Sequence, residues 1–247
     1  MKKFYSIIIP VKNQEKKISY NLDRLIRELN YFIFISKWEI ILIDDGSTDL
    51  TFRELSIYKK KIKNIKLIKN KLNKGKGYSV KRGISLLNKK SDKVVLIDSD
   101  IPYFKSLRLF FRTLNENNLV IINRKDERSK LKIKKKSFYI FYRILVGNIL
   151  NLFFRLFALT NLKDTQAGLK GFDSSLKKNF KKVKTNGFLF DLEFLLILKK
   201  KKIYPQLVPC IYSISGKSSI KFDLTIYFRI IHDLLFIIYN HLTSKYE

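Results

Sequence analysis

The chain has 247 residues and 46% hydrophobic content, enough for one sizeable core. Lys and Arg number 51 against 21 Asp and Glu, a net charge of +30, which points to a polyanionic partner: nucleic acid, an anionic membrane surface or a phosphorylated substrate. A single cysteine, Cys210, excludes an internal disulfide framework, two histidines give no His/Cys cluster for zinc, and no uninterrupted apolar run reaches the length of a simple transmembrane span.

Residues 5–10 read as a buried strand closed by Pro10, not as a secretory signal, since the apolar run stops at Val11 and no small-residue cleavage site follows. A helix is expected over about 17–34, with Ile18, Leu22, Leu25, Ile26 and Leu29 on one face. Residues 39–43 form a second strand ending in Asp44-Asp45-Gly46-Ser47-Thr48-Asp49, where Asp49 or Thr51 caps the next helix. A third strand covers 65–68, and Asn73-Lys74-Gly75-Lys76-Gly77 opens a helix that runs to 87. Strands over 93–97 and 119–122 complete an alternation that predicts right-handed βαβ units and an α/β fold with a mostly parallel, doubly wound sheet. After Asn123 the character changes. Residues 125–136 are lysine-rich, 138–159 and 222–241 read as very apolar helices, 168–172 as a strand, 188–200 as a helix and 203–212 as extended chain. With no repeat and no Pro- or Gly/Ser-rich linker, one continuous domain over 1–247 is expected.

The chemistry concentrates where Val94-Val95-Leu96-Ile97 runs into Asp98-Ser99-Asp100. The apolar run has no alternation, as in a strand buried on both faces, so its acids emerge at the carboxyl edge where open α/β sheets bind ligands. Two carboxylates there repel each other unless a cation intervenes, and Mg²⁺ or Mn²⁺ takes oxygen donors of this kind together with substrate phosphates. The alternative is that Asp98 and Asp100 only end a strand and begin a turn. The loops after Pro10, Ile43 and Ile97 share one sheet edge. Asp44 and Asp45 can accept from a base edge or ribose hydroxyls, Gly75 and Gly77 permit close backbone approach, and Lys76 with the following helix amino end suits a phosphate. The Gly-Lys-Ser/Thr ending of a Walker A loop is missing.

Ser6-Ile7-Ile8-Ile9-Pro10, Ile43-Asp44-Asp45-Gly46-Ser47-Thr48-Asp49 and Asp98-Ser99-Asp100 resemble family-2 glycosyltransferases of the Rossmann-like GT-A fold. Residues 73–83, Asp164-Thr165-Gln166-Ala167-Gly168-Leu169-Lys170 and Phe190-Asp191-Leu192-Glu193 are similar to the dolichyl-phosphate glucosyltransferases. That resemblance implies a nucleotide-binding half over 1–123 and an acceptor and membrane-facing half over 124–247. It implies that Pro10 with Val11, Asp44 and Asp45 hold the nucleotide with Lys76 nearby, and that Asp98 and Asp100 sit at the diphosphate and metal. It further implies that Asp164, Gln166, Asp191 and Glu193 line the sugar side and that Arg124 lies near the acceptor phosphate. This sequence departs from the family in Ile101-Pro102-Tyr103 after the acids and in Asn123-Arg124 where a Ser-Arg is usual.

The reaction so implied is inverting, metal-dependent transfer of a hexose, with UDP-glucose favoured as donor and a polyprenyl or dolichyl phosphate as acceptor. A lipid phosphate is already anionic and needs positive groups to position it, a task that suits Arg124, Arg143 and the 125–136 lysines. A saccharide or glycolipid hydroxyl as acceptor would instead require a base, for which Asp191 and Glu193 are the candidates; the same pair otherwise compensates a helix amino end. The Arg and Asn residues within 138–159 and 222–241, with flanking lysines, suit interfacial helices in a headgroup plane, and hence a peripheral protein on the cytoplasmic face of a membrane. A nucleic-acid-binding role is disfavoured, because the basic residues are spread along the chain and the strand-end acids repel phosphate.

Overall fold

The computed structural model describes residues 2–32, 35–133, 145, 148–149, 152–154, 161–214, 224–243 and 245–246. Its strands are β1 (Lys3–Val11), β2 (Ile35–Asp44), β3 (Ile65–Lys69), β4 (Lys93–Ile97), β5 (Leu119–Asn123), β6 (Lys130–Ile133), β7 (Leu169–Asp173), β8 (Gln206–Pro209) and β9 (Ile211–Ile214). Seven of them make one sheet in the order β3-β2-β1-β4-β7-β5-β8, and β6 pairs with β9 beside it. β7 runs antiparallel to β4 and β5, and every other pair is parallel. The sheet is therefore mostly parallel, and its two strands from beyond residue 124, β7 and β8, lie in the same sheet as β1–β5.

The β-branched runs of β1, β2 and β4 become central strands because both of their faces are covered. Ile7, Ile9, Ile40, Leu42, Val95 and Ile97 point to one side, against α1 (Ile18–Tyr31), α2 (Thr51–Lys61) and α4 (Leu107–Glu116). Ile8, Ile41, Ile43, Val94 and Leu96 point to the other, against α3 (Lys76–Ser85) and α5 (Phe190–Lys200). α1 buries Leu22, Leu25 and Leu29 as its spacing predicts. α4 is not among the helices expected from sequence, although Leu107, Phe110, Phe111 and Leu114 recur at helical spacing and are all buried. The lysine-rich stretch also hides β6, whose pairing with β9 only tertiary contact supplies.

α6 (Leu224–Leu242) realises most of the predicted last helix. The predicted 138–159 helix falls mainly outside the described residues, although 145, 148–149 and 152–154 are helical. Among the described residues no helix is long and apolar enough to cross a membrane.

Candidate active site

Register brings the site together. β1 pairs Pro10 with Ile43 and Val11 with Asp44, and it pairs Ile8 with Leu96 on its other side. Pro10, Ile43 and Asp98 thus reach one level of the carboxyl edge. A turn then places Asp100 at the surface. That turn is strained: Ile101, a β-branched residue, has φ +38° and is 1% exposed. Such a conformation costs about 1–3 kcal/mol and persists where the surroundings over-determine it. Here the Ile101 side chain is locked into the core, its N–H donates to the Asp98 carbonyl at 3.0 Å, and Asn21 Nδ2 of α1 donates to the Ser99 carbonyl at 2.9 Å. The departure Ile101-Pro102-Tyr103 therefore serves as an anchor under the acid turn. Tyr103 is buried too, and its hydroxyl accepts from the Gly168 N–H at 3.4 Å.

Behind Asp98 lies a small pocket lined in part by Pro10, Lys76, Asp98, Gly168, Lys170 and Asp191. Its charges alternate. Lys76 Nζ is 2.7 Å from Asp98 Oδ1 and 3.8 Å from Asp191 Oδ2, and Lys170 Nζ is 3.1 Å from Asp191 Oδ1. Burial opposes the charge on Lys76, but Asp98, Asp191 and Asp100 together outweigh it and hold the ammonium above its ordinary pKa. For Lys170 burial wins and lowers the pKa, with Asp191 resisting. Lys170 is 2% exposed and also donates to the Ala167 carbonyl. No expectation from sequence gives Lys170 a role of its own; its signal is its place in the Asp164–Lys170 motif at a predicted strand. The pocket depends on Gly168, because a Cβ there would stand 1.9 Å from Asp98 Oδ2. Gly168→Ala is expected to push Asp98 off Lys76 and to cut turnover at least tenfold, with thermal stability reduced far less than in a core deletion; parallel rates and melting curves check this.

The two acids after β2 divide. Asp44 is fully buried, its Oδ1 accepts from the Ser47 N–H at 3.2 Å, and its Oδ2 has no partner among the described residues. An orphaned buried acceptor needs a donor from elsewhere. Asp45 has its bonds already: Asn70 Nδ2 and the Lys74 N–H reach Oδ1 at 2.8 and 2.9 Å, and the Gly75 N–H reaches Oδ2 at 2.9 Å. It braces the turn into α3 from inside.

The α3 amino end differs from the expected phosphate cradle. The Gly77 and Tyr78 N–H groups donate to the Gly187 and Asn186 carbonyls at 3.2 Å each, and Asp45 takes those of Lys74 and Gly75. Gly75 is required by its φ of +99° and by Asn186, whose carbonyl oxygen lies 2.4 Å from the position of a Cβ. The helix end is capped by a loop more than 100 residues away in sequence, so these amides are used within the chain. Glu193 holds that loop: its oxygens accept from the Lys184 N–H at 3.0 Å, the Thr185 N–H at 2.8 Å, the Thr185 hydroxyl at 2.7 Å and the Tyr246 hydroxyl at 3.1 Å. Fully buried and fourfold bonded, Glu193 is a structural acid in this geometry.

Arg124 and Asp164 form a bidentate pair, Nε to Oδ2 and Nη2 to Oδ1 at 2.7 Å each, with the Arg124 N–H on Oδ2 at 3.0 Å. Burial alone would push the Asp164 carboxyl up; the Arg124 bonds outweigh it and hold the group below the usual carboxylate range. Gln166 Nε2 and Thr165 Oγ1 are buried without partners among the described residues. Arg143 lies outside the described residues.

A model of glycosyl transferase family 2 matches residues 6–169, which carry β1–β5 and the acid turn. The chain belongs to this family. Among family-2 relatives, the dolichyl-phosphate β-glucosyltransferase of Dictyostelium discoideum is 31% identical over 218 residues, 81% of this chain and 63% of its own length. The human dolichyl-phosphate β-glucosyltransferase is 25% identical over 262 residues, 98% of this chain and 77% of its own. The chain thus spans under two thirds of several curated relatives, including that from Dictyostelium. Mannosyl-3-phosphoglycerate synthase of Rubrobacter xylanophilus superposes with a TM-score of 0.68 at 16% identity, covering 98% of this chain and 75% of that one. Glucosyl-3-phosphoglycerate synthase of Mycobacterium tuberculosis, crystallised with Mn²⁺, UDP-glucose and phosphoglyceric acid, gives 0.59 at 16%, covering 96% and 80%. At these identities the two structures establish a shared GT-A fold.

The Mycobacterium tuberculosis synthase was crystallised with Mn²⁺; whether the residues of this chain fit such an ion is a question of their donor set. Among the described residues no group of three or more His, Cys, Asp or Glu side chains closes around a point. Asp98, on the pocket wall, and Asp100, exposed two residues further on, are hard oxygen donors. They fit an ion that keeps its waters and completes its shell with substrate phosphates, and they do not fit an all-protein cage.

Proposed function

We propose that this chain transfers a hexose, with glucose favoured, from a nucleoside diphosphate sugar such as UDP-glucose to a polyprenyl or dolichyl phosphate, in one inverting displacement with Mg²⁺ or Mn²⁺. The observation that carries the reading is the alternating row Asp98–Lys76–Asp191–Lys170 in a pocket at the carboxyl edge of a family-2 sheet. Asp98 and Asp100 would hold the ion, which when bound neutralises charge on the leaving diphosphate. Lys76 and Lys170 add positive charge where negative charge grows, and charge placed in this way is commonly the largest catalytic term. Asp44 Oδ2 supplies a buried acceptor for a base or ribose donor. Asp191 is engaged as the counter-ion of the buried Lys170 at 3.1 Å. That favours an acceptor that is already an anion. Arg124 uses Nε and Nη2 on Asp164, and among the described residues no hydrogen bond engages Nη1, which would be left for the acceptor phosphate. Asp45 and Glu193 act as positioning residues for the loops around Lys76.

A polyprenyl phosphate resides in a membrane, and α6 has a face suited to one. Its inner residues Ile230, Leu234, Ile237 and Ile238 pack on Leu189, Leu192 and Leu196. Its outer residues Phe228, Ile231, Leu235, Tyr239 and Leu242 are 53–73% exposed and follow helical spacing. With Arg229 and Lys245 beside them, this stripe supports a peripheral site on the anionic cytoplasmic face of a membrane. Leu235→Glu with Leu242→Glu is expected to lower flotation with anionic vesicles at least fivefold and to leave melting unchanged, since both side chains are already solvated. Unchanged flotation assigns membrane contact elsewhere.

The reaction itself is tested with labelled nucleotide sugars, Mg²⁺ or Mn²⁺ and a short polyprenyl phosphate. Label entering the organic phase is expected. Label found only in a water-soluble saccharide overturns the lipid-phosphate acceptor and points to a hydroxyl.

A further inference from the structure

Lys76 stands where a cation would meet Asp98. Its Nζ is 2.7 Å from Asp98 Oδ1, and the other carboxylate oxygen, Oδ2, is pressed against Gly168. Neither lysine nor acid is deeply sealed, with side-chain exposures of 21% and 34%, so the pair can open without disturbing the core. Asp98, Asp191 and Asp100 all act on Lys76, so the ammonium already neutralises part of the negative charge that an ion would meet at Asp98. A nucleoside diphosphate sugar brings two negative charges of its own, which compete with Asp98 for the ammonium.

We infer that Lys76 is a built-in counter-ion that occludes the metal-binding oxygen of Asp98 until a nucleotide diphosphate draws it away, so that cation and nucleotide bind as an interdependent pair. The inference rests on the nucleotide-sugar reading above and adds an order to it. The diphosphate takes over Lys76, Asp98 is released, and the ion then finds a carboxylate with phosphate oxygens beside it. By linkage the ion must strengthen nucleotide binding by the same factor as the nucleotide strengthens ion binding. Lys170 stays behind on Asp191 and keeps that buried carboxylate compensated while Lys76 moves.

The experiment measures Mn²⁺ binding by loss of the free-ion electron paramagnetic resonance signal, with and without UDP, on the full chain. In the unaltered protein UDP is expected to tighten Mn²⁺ binding by about tenfold or more, within the ordinary range of such couplings. Lys76→Met is expected to bind Mn²⁺ about tenfold more tightly than the unaltered protein when UDP is absent, and to lose most of the UDP effect. Lys76→Arg, which keeps the charge, is expected to retain both behaviours. Adding Asp98→Asn to Lys76→Met is expected to remove the gained Mn²⁺ affinity. If Lys76→Met, shown folded by circular dichroism, binds Mn²⁺ without UDP no better than the unaltered protein, the counter-ion role is wrong. If the unaltered protein binds no UDP under any condition, the nucleotide-sugar reading fails first, and the two failures are separate.

Discussion

Asp100→Asn is expected to reduce hexose transfer by about 100- to 1,000-fold, the usual loss when one group that stabilises developing charge is removed. Asp100 lies at the exposed end of the acid turn, one residue before the anchored Ile101. Its amide replacement keeps the shape and removes the charge. The turn is held by Ile101 in the core and by Asn21 on the Ser99 carbonyl, and neither contact needs the Asp100 carboxylate charge. The melting temperature should change far less than the rate, a split that initial-rate and calorimetric measurements resolve. Full transfer by Asp100→Asn under chelation would remove the divalent ion from the mechanism.

Arg124→Met is expected to lower stability as well as transfer, and the stability loss has its own signature. Asp164 is 5% exposed and receives three bonds from Arg124. The variant keeps the bond from the Arg124 backbone N–H but leaves a buried carboxylate without its cation, which costs about 3 kcal/mol or more. The pH dependence has a definite sign. Asp164 is held below the usual carboxylate range in the folded protein, so its pair contributes stability above the unfolded pKa and loses it as pH falls through the lower, folded one. In the variant the lone carboxylate gains by taking up a proton. The gap in urea midpoint between the two proteins should be widest near neutrality and narrow below about pH 4, where unfolded carboxylates protonate. A gap that is small, or constant with pH, would mean that the pair contributes little.

These outcomes bear on the distribution of roles among the acids. Asp45, Asp164 and Glu193 are each bonded within the protein, to the turn before α3, to Arg124 and to the 184–185 backbone respectively. Asp44 keeps one oxygen unpartnered among the described residues, and Asp98 and Asp191 meet Lys76 across the pocket. Acids of the same motif thus differ in function by what their oxygens already hold.

The local order of strands, helices and acid-tipped loops was legible in the chain itself. Strands buried on both faces leave unbroken Ile and Val runs, and a parallel sheet sends the loops after them to one edge. Pro10, Asp44 and Asp98 follow from that rule alone. Folding in three dimensions decided the rest. The helix amino end beside Lys76 reads as an open anion site, but its amides are closed by Asn186 and Gly187. Lys170 reads as an ordinary strand residue, but β7 enters between β4 and β5 and carries it into the pocket. Hydrophobic periodicity is a property of neighbours along the chain and survives in the sequence; the partner of a buried charge or amide is chosen by long-range packing, which no local pattern encodes.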